Sequence, residues 1–389
     1  MPINQRQPAR IFSRQIRKVT GEVWCPVDLL KSGFIIGCFD LTLLISSAVV
    51  VKEVKFRFRK LRTKMKQQVI VTGAAGYIGS HICDELISQG FSVVAIDDLS
   101  TGRQEFINPK ATFFNGKVQD ANFLKLVFNE ITSPDSVGVI HCAGLKYAGE
   151  SVSHPLDYYD NNTTAVSVLL LTMNQYRIRN LVFSSSCSVY GSIGDLNKID
   201  ENHSLNPISP YGKSKYFAEQ IILDAISAYG LRAVALRYFN VAGNGTGIGH
   251  DLSPFNLLPN LYRAVKESKD FSLYGNTFDT PDGSCIRDYV DVTLLAKAHV
   301  RALTKLVNKE SLSFAYNLGS GLGTSVLQII EAVKKVTGFE INTIVYPPRI
   351  GDPSKVMADI SLAQKDLGWD HNITTEQMVH SGWKAWNKS

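Results

Sequence analysis

The segment GAAGYIG at residues 73–79 constrains the fold of this chain more than any other. It follows the short β-branched stretch Gln68–Thr72 and precedes an amphipathic stretch that extends to about Gln89. Glycines at these spacings permit a tight turn, close approach of the backbone to a pyrophosphate and close packing of the helix on the strand. A strand, a glycine turn and a helix in this order predict the first unit of a dinucleotide-binding fold.

Further strand-like segments alternate with helical ones along the chain. Strands are expected at Ser92–Ile96, Thr112–Asn115, Val137–Cys142, Asn180–Ser184 and Leu231–Tyr238, and helices near Ala121–Thr132, Leu156–Tyr176 and Tyr211–Tyr229. This alternation predicts an α/β fold with a doubly wound, Rossmann-type parallel sheet, whose ligands bind at the carboxyl ends of the strands. We expect the dinucleotide-binding domain over residues 65–240 and a smaller α/β substrate-binding region over 241–389, with Val241–Ser253 as a glycine-rich crossover loop.

Charge is unevenly distributed over the 389 residues. Residues 1–64 contain 13 Lys and Arg against 4 Asp and Glu, whereas residues 65–389 contain 28 against 31. The basic character therefore belongs to the N-terminal segment, and the main body is not predicted to bind nucleic acid. The six cysteines form no C-x-x-C pair and no H-E-x-x-H motif is present, so we expect no metal site and no disulfide.

The N-terminal extension, residues 1–64, contains the 19-residue apolar run Gly33–Val51, which is followed by a basic cluster. Its length approaches that of a membrane-spanning helix, and the basic flank would keep the rest of the chain cytoplasmic. Asp40 inside the run opposes insertion, and Met65 would be a natural start immediately before the first strand. A peripheral basic hairpin is an alternative to the anchor. We favour an extension without catalytic importance over a true anchor, and expect no obligatory membrane partner.

The second strand is followed by an acidic pair, Asp97 and Asp98. An acidic side chain at this position accepts hydrogen bonds from the hydroxyls of an adenosine ribose and repels a 2′-phosphate. The sequence therefore predicts NAD rather than NADP as the cofactor.

A possible catalytic group follows in the segments SSSCSVYG (184–191) and YGKSK (211–215). Tyr211 and Lys215 are four residues apart on a predicted helix, so both project from one face. A phenol has a pKa near 10, and a nearby ammonium or nicotinamide cation would lower that pKa. A serine hydroxyl at the end of the neighbouring strand would hydrogen-bond the same substrate oxygen. This arrangement indicates removal of a proton from an alcohol while hydride leaves to NAD.

Together with HCAGLK (141–146), LRYFNVAG (236–243), DGSCIRDYV (282–290) and YNLGSG (316–321), these motifs resemble the extended short-chain dehydrogenase/reductase family, and most specifically its UDP-glucose 4-epimerases. The similarity extends from about Lys66 to the C-terminus. It implies an enzyme, an isomerase of galactose metabolism, that interconverts UDP-galactose and UDP-glucose. In that family, NAD oxidises the 4-hydroxyl of the hexose, the 4-keto sugar rotates within the site, and hydride returns to the opposite face of the sugar. The resemblance also implies a homodimer, with the helices Leu156–Tyr176 and Tyr211–Tyr229 as interface candidates.

The resemblance assigns roles residue by residue. Tyr211 would be the catalytic base, Lys215 its partner and a ribose ligand, and Ser186 the hydroxyl that steers the proton. The residues implied for NAD are Gly73, Gly76, Tyr77, Ile78, Gly79, Asp97, Asp98, Leu99, Ser100, Thr101, Gly102, Val118, Cys142, Ala143, Gly144, Lys146, Asn161, Lys215 and Phe239. Those implied for the UDP-sugar are Ser186, Tyr211, Asn240, Asn256, Leu257, Ser272, Leu273, Tyr274, Arg287, Arg349 and Asp352. The two arginines suit a diphosphate because a guanidinium offers a fork of donors that never deprotonates.

Two positions depart from the family pattern. Lys117 stands where relatives usually place an aspartate against the adenine. Val356 is intermediate between the bulky tyrosine of narrow-specificity members and the small residue of members that accept N-acetylated sugars, so UDP-N-acetylglucosamine remains an alternative substrate.

Other activities on the same fold compete with this assignment. A 4,6-dehydratase needs an acidic residue after the strand-end serine, and SSSCSVYG has none. Epimerases of UDP-pentoses or UDP-uronic acids stay open. A non-catalytic NAD-binding sensor is disfavoured because it needs no combination of Ser186, Tyr211 and Lys215.

Overall fold

The structure is a computed structural model, and it describes residues 67–131, 138–191, 198–245, 249–349 and 352–388. Within it, Lys66–Ser389 form one compact unit. The N-terminal extension, including the apolar run 33–51, lies outside the described residues. No helix of the described ranges is long and apolar enough to cross a membrane. The cytoplasmic location stays a prediction from the sequence, as does the division of the chain at residue 240.

The described residues contain thirteen strands, which are β1 (Gln68–Thr72), β2 (Ser92–Asp97), β3 (Thr112–Asn115), β4 (Gly138–His141), β5 (Asn180–Ser186), β6 (Arg232–Tyr238), β7 (Asn240–Ala242), β8 (Phe271–Tyr274), β9 (Ile286–Asp291), β10 (Ala315–Leu318), β11 (Gly323–Ser325), β12 (Thr343–Tyr346) and β13 (Lys355–Val356). Seven of them form a parallel sheet in the order β10-β6-β5-β4-β1-β2-β3. The order reverses between β1 and β4, which creates the crevice where such sheets bind dinucleotides.

Helices cover both faces of this sheet. The α-helices of the described residues are α1 (Tyr77–Ser88), α2 (Ala121–Asn129), α3 (Ala148–Ser153), α4 (Pro155–Tyr159), α5 (Ala165–Gln175), α6 (Pro210–Tyr229), α7 (Leu257–Glu267), α8 (Val292–Val307), α9 (Val326–Thr337), α10 (Ser361–Leu367) and α11 (Thr375–Trp386). One buried cluster joins the sheet to α1 and α8 through Ile82 and Leu295. The other joins it to α2 and α6 through Leu124 and Ile222. Burial on both faces explains the nearly uninterrupted apolar strands and confirms the predicted fold class.

One predicted helix is interrupted. The sequence suggested a single helix over Leu156–Tyr176, whereas the structure has α4, a π-helical turn at Asp160–Thr164 and then α5. The helix is interrupted because of a tertiary interaction. The buried amide of Asn162 hydrogen-bonds both the backbone N–H of Leu145 (2.8 Å) and the Ser214 hydroxyl (2.9 Å), which fixes this turn against the glycine-lined pocket described below.

Smaller sheets form beyond the main one. Strand β9 pairs with β7, β11 and β13, and β8 pairs in parallel with β12. A third buried cluster packs α7, α9 and α11 together through residues such as Leu261, Val333 and Val379. Strand β10 lies between β9 and β11 in the chain yet enters the main sheet beside β6. Strand β9 lies near the carboxyl end of β6, because its partner β7 begins two residues after β6 ends.

Candidate active site

A pocket opens at the carboxyl ends of the central strands. Most of the residues implied for NAD line it, namely Gly73, Gly76, Tyr77, Ile78, Gly79, Asp97, Asp98, Ser100, Thr101, Val118, Cys142, Ala143, Gly144, Lys146 and Asn161. Tyr211 and Lys215 line the same pocket. The expected cofactor residues and the expected catalytic pair, which are distant in sequence, therefore meet in one cavity.

Glycine alone fits at Gly73, in the turn between β1 and α1, and at Gly79, in the first turn of α1. A Cβ on Gly73, whose φ is +69°, would lie 2.6 Å from the Ala143 nitrogen. A Cβ on Gly79 would lie 2.0 Å from the Gly73 oxygen. The turn thus brings backbone N–H groups and the N-terminus of α1 to the pocket, an arrangement suited to a pyrophosphate. The residues present fit a dinucleotide.

Asp97, at the end of β2, closes this turn. Its carboxylate accepts hydrogen bonds from the backbone N–H groups of Ala75 and Leu99, both at 2.9 Å. Burial raises the pKa of Asp97, while these two bonds oppose the rise. Leu99, with φ of +59°, and Gly102 lie in the loop that follows β2 but outside the pocket lining. Asp97 therefore both fixes the loop and presents carboxylate oxygens to the pocket.

Helix α6 carries the expected catalytic pair, Tyr211 and Lys215. It begins after Ser209, whose hydroxyl accepts the Gly212 N–H, and Pro210 occupies its first position. The Lys215 ammonium donates to the carbonyl oxygen of Ser184 at 2.9 Å, and burial lowers the pKa of Lys215 to about 8. Burial likewise raises the pKa of Tyr211 to about 12, although a hydrogen bond with Ser186 acts in the opposite direction. Burial outweighs this hydrogen bond, so the pKa of Tyr211 is not lowered in the way expected from its spacing to Lys215.

Buried polar groups hold this helix and the end of β5 in place. The Arg237 guanidinium makes a bidentate pair with Glu219, at 3.0 and 2.6 Å. Glu219 is four residues after Lys215, and its carboxylate also accepts the Ser185 hydroxyl at 2.6 Å. The network therefore connects α6, β5 and β6 directly beneath Ser186 and Lys215.

The residues expected for the UDP-sugar gather on the C-terminal elements. Arg287 on β9 forms an ion pair with Asp352 at 2.5 Å, and the Arg349 guanidinium lies 4.3 Å from the centroid of the Tyr274 ring. The Asp352 N–H donates to the Arg349 carbonyl at 3.1 Å, which links the two pairs. A guanidinium on an aromatic ring and a second one beside it form a surface suited to a nucleotide diphosphate.

The other expected substrate residues occupy flanking positions. Asn240 donates to the Asp288 carbonyl at 3.1 Å, and Leu257 begins α7 next to its N-cap Asn256. Ser272 and Leu273 lie on β8 before Tyr274. Phe239 stands apart from the pocket, because it packs in a buried cluster with Val189 and Tyr190.

Several pocket residues were not singled out from the sequence. Asp251 and His250 line the pocket from the crossover loop, and Tyr238 lines it from the end of β6. Asn162 supports it through the π-helical turn. The sequence signal for Asp251 is only that it is a charged residue near the end of the glycine-rich crossover loop. Lys117 lies in the lining beside Val118, so its departure from the family pattern falls at the pocket itself.

The comparisons with known proteins agree with this geometry. Residues 69–319 match the model of the NAD dependent epimerase/dehydratase family. The chain belongs to this family. It is 40% identical over 328 residues to a UDP-glucose 4-epimerase of Lactobacillus helveticus, covering 83% of this chain and 97% of that one. It is 39% identical over 336 residues to a UDP-glucose 4-epimerase of Drosophila melanogaster, covering 81% and 95%.

Solved structures of the family have the same fold. A UDP-glucose 4-epimerase from Bifidobacterium longum in complex with NAD⁺ and UDP superposes with a TM-score of 0.76 at 37% identity, covering 83% of this chain and 98% of that one. One from Brucella ovis in complex with NAD gives 0.77 at 37% identity, covering 82% and 98%. The family resemblance, the fold class and NAD as the cofactor, all inferred from the motifs, are confirmed.

Proposed function

We propose that this chain is a UDP-glucose 4-epimerase, an isomerase that interconverts UDP-galactose and UDP-glucose through a 4-keto sugar. The observation that carries the proposal is the meeting of Tyr211 and Lys215 with the glycine turn in one pocket, beside Ser186. The curated relatives of this name, at about 40% identity over nearly their whole length, support the same activity.

Each site residue has a defined task in this reaction. The glycine turn and Asp97 hold the cofactor, while Arg287 and Arg349 hold the diphosphate. The 4-keto sugar can therefore rotate within the site while the nucleotide stays bound. Bound NAD supplies reversible hydride transfer at carbon 4 of the hexose. Tyr211 removes the proton from the 4-hydroxyl oxygen and later returns it, and Ser186 orients that oxygen by hydrogen bonding.

Proton removal by Tyr211 requires its pKa to fall from the value of about 12 set by burial. A positive charge near the phenol stabilises the phenolate, and both the Lys215 ammonium and an oxidised nicotinamide have the required sign. Lys215 lies on the same face of α6 as Tyr211, and its ammonium donates to the Ser184 carbonyl. We therefore expect the basicity of Tyr211 to depend on Lys215 and on the oxidation state of the bound cofactor.

The test is an assay of the purified full chain with UDP-galactose and no added NAD, measuring UDP-glucose. The wild type should convert the substrate, and Tyr211→Phe should lower kcat by about a thousandfold while keeping its bound NAD. Ile208→Ala, an exposed side chain two residues before α6, is the control that should match the wild type. Lack of conversion by the wild type, or full activity of the Tyr211 variant, would refute the proposal.

UDP-N-acetylglucosamine is a second candidate substrate. Val356 on β13 pairs directly with Arg287 on β9, so the residue that departs from the family pattern stands beside the proposed diphosphate site. A solved UDP-Glc/GlcNAc 4-epimerase from Campylobacter jejuni, at 31% identity, belongs to the same group of neighbours. A parallel assay with UDP-N-acetylgalactosamine decides this point, and Val356→Tyr should abolish only that conversion.

The proposed assembly is a homodimer. Large apolar side chains are exposed on neighbouring helices, among them Leu156 (77% exposed), Leu171 (56%) and Phe217 (43%). Several large apolar side chains exposed on neighbouring helices are consistent with a protein interface. Light scattering should give twice the monomer mass, and Leu171→Glu should shift it to the monomer. A monomeric wild type would contradict the dimer.

A further inference from the structure

Asp251 is a buried carboxylate of the pocket for which the proposed reaction has no role. It is only 8% exposed and lies in the crossover loop at the pocket wall. Burying a charge is costly unless it is paired and hydrogen-bonded, so the partners of such a group indicate what it is for.

Those partners come from opposite sides of the site. One oxygen, Oδ1, accepts the Lys146 ammonium at 3.2 Å. The other, Oδ2, accepts the side-chain N–H of Asn256 at 2.6 Å. Lys146 follows β4 in the cofactor pocket, whereas Asn256 is the N-cap of α7 in the C-terminal region. A single carboxylate thus ties a residue implied for NAD to one implied for the UDP-sugar.

The loop itself is held by other bonds. The Asp251 carbonyl accepts the Trp386 indole N–H at 2.9 Å, and Oδ1 also accepts the backbone N–H of Ser253 at 3.1 Å. An asparagine in place of Asp251 retains an oxygen for the Ser253 bond and leaves the carbonyl bond intact. The charge of Asp251 can therefore be removed without removing these loop bonds.

We propose that Asp251 is a positioning residue, which orients Lys146 toward the bound cofactor and Asn256 toward the phosphates of the nucleotide sugar before it binds. An ammonium has three donors, so its bond to Asp251 leaves two for the bound cofactor. A lysine is flexible, and fixing its stem in advance lowers the entropy lost on binding. This inference deepens the proposed function and rests on it for the identity of the ligand.

The experiment measures the Kd of UDP by calorimetry on the NAD-loaded full chain, with kcat and KM for UDP-galactose alongside. Asp251→Asn should weaken UDP binding about tenfold and raise KM similarly, with kcat changed less than threefold, because a hydrogen bond to a charged group is lost. Its melting temperature should stay near that of the wild type. Glu376→Gln, which breaks the exposed Lys335–Glu376 pair, is the matched control that should change nothing.

The double variant separates positioning from a structural role. If Asp251 acts through Asn256, Asp251→Asn combined with Asn256→Ala should bind UDP no more weakly than Asn256→Ala alone. Additive losses, or wild-type UDP affinity in Asp251→Asn, would overturn the inference. The Kd remains a valid readout if the wild type fails to convert UDP-galactose. That result would refute the epimerase activity while a tenfold Kd shift in Asp251→Asn would still support positioning.

Discussion

The cofactor side and the substrate side of the site are built in different ways. The cofactor side depends on a short contiguous segment, in which the Gly73 turn, α1 and Asp97 lie within 25 residues along the chain. The substrate side depends on pairs that are distant in sequence, such as Arg287 with Asp352 and Arg349 with Tyr274. A contiguous turn is specified by local backbone sterics, whereas distant pairs form only once the fold has brought their strands together.

The largest expected effect tests the local side. Gly79→Ala places a Cβ 2.0 Å from the Gly73 oxygen, so the turn must open, and the NAD that copurifies should fall at least tenfold. Gly149→Ala, where a Cβ meets nothing within 4 Å, should keep its NAD. The NAD content of both variants is measured by the absorbance of the cofactor released by denaturation. Equal NAD contents would show that the turn is more adaptable than its geometry implies.

The buried network of Arg237, Glu219 and Ser185 behind α6 tests whether the cofactor side and the substrate side depend on the same packing. Arg237→Met leaves the Glu219 carboxylate buried without its bidentate partner and should lower the free energy of unfolding by about 3–5 kcal/mol. Arg103→Gln removes an ion pair between exposed side chains and should leave the urea midpoint unchanged. The comparison fails if both variants unfold at the same urea concentration as the wild type.

The substrate side should be separable from cofactor binding. Arg287→Lys replaces the planar fork beside Asp352 with a single ammonium and should raise KM for UDP-galactose about tenfold. The bound NAD should stay at the wild-type level, because Arg287 does not belong to the cofactor pocket. Steady-state kinetics and cofactor release measure the two quantities. A loss of NAD in this variant would show that the two sides are coupled more tightly than proposed.

The smallest expected effect is a change in how stability depends on pH. Burial lowers the pKa of His299 to about 4, below its value of 6.5 in an unfolded chain. Between these values the unfolded state binds more protons, so the free energy of unfolding should fall as the pH is lowered from 6.5 to 4. His299→Asn should flatten this dependence in urea titrations at several pH values. The same pH dependence of the free energy of unfolding in the wild type and in His299→Asn would exclude His299 as a source of that dependence.

Much of the cofactor side was predictable from the sequence. The strand bounds and the glycine turn follow from periodicity and from a motif whose backbone conformation is local, whereas most other pocket residues were implied by the family resemblance. The π-helical turn at Asp160–Thr164 was not predictable, because it depends on Asn162 reaching Leu145 and Ser214. Local sequence pattern does not encode such a tertiary hydrogen bond.

The charged environment of the site was the least predictable. Asp251 has no motif around it, and its importance appears only when Lys146 and Asn256 are found on its two oxygens. The Tyr211 pKa depends on complete burial, which the four-residue spacing to Lys215 does not reveal. Both properties arise from the enclosure of a charge by several elements.

The most direct test of the proposed chemistry follows a label at the reacting carbon. The full chain is incubated with UDP-galactose carrying deuterium at carbon 4, without added NAD, and the UDP-glucose is analysed by mass spectrometry and NMR. Reversible hydride transfer within one site predicts UDP-glucose that keeps its deuterium at carbon 4. Exchange of that deuterium for solvent hydrogen, or no UDP-glucose at all, would contradict the account.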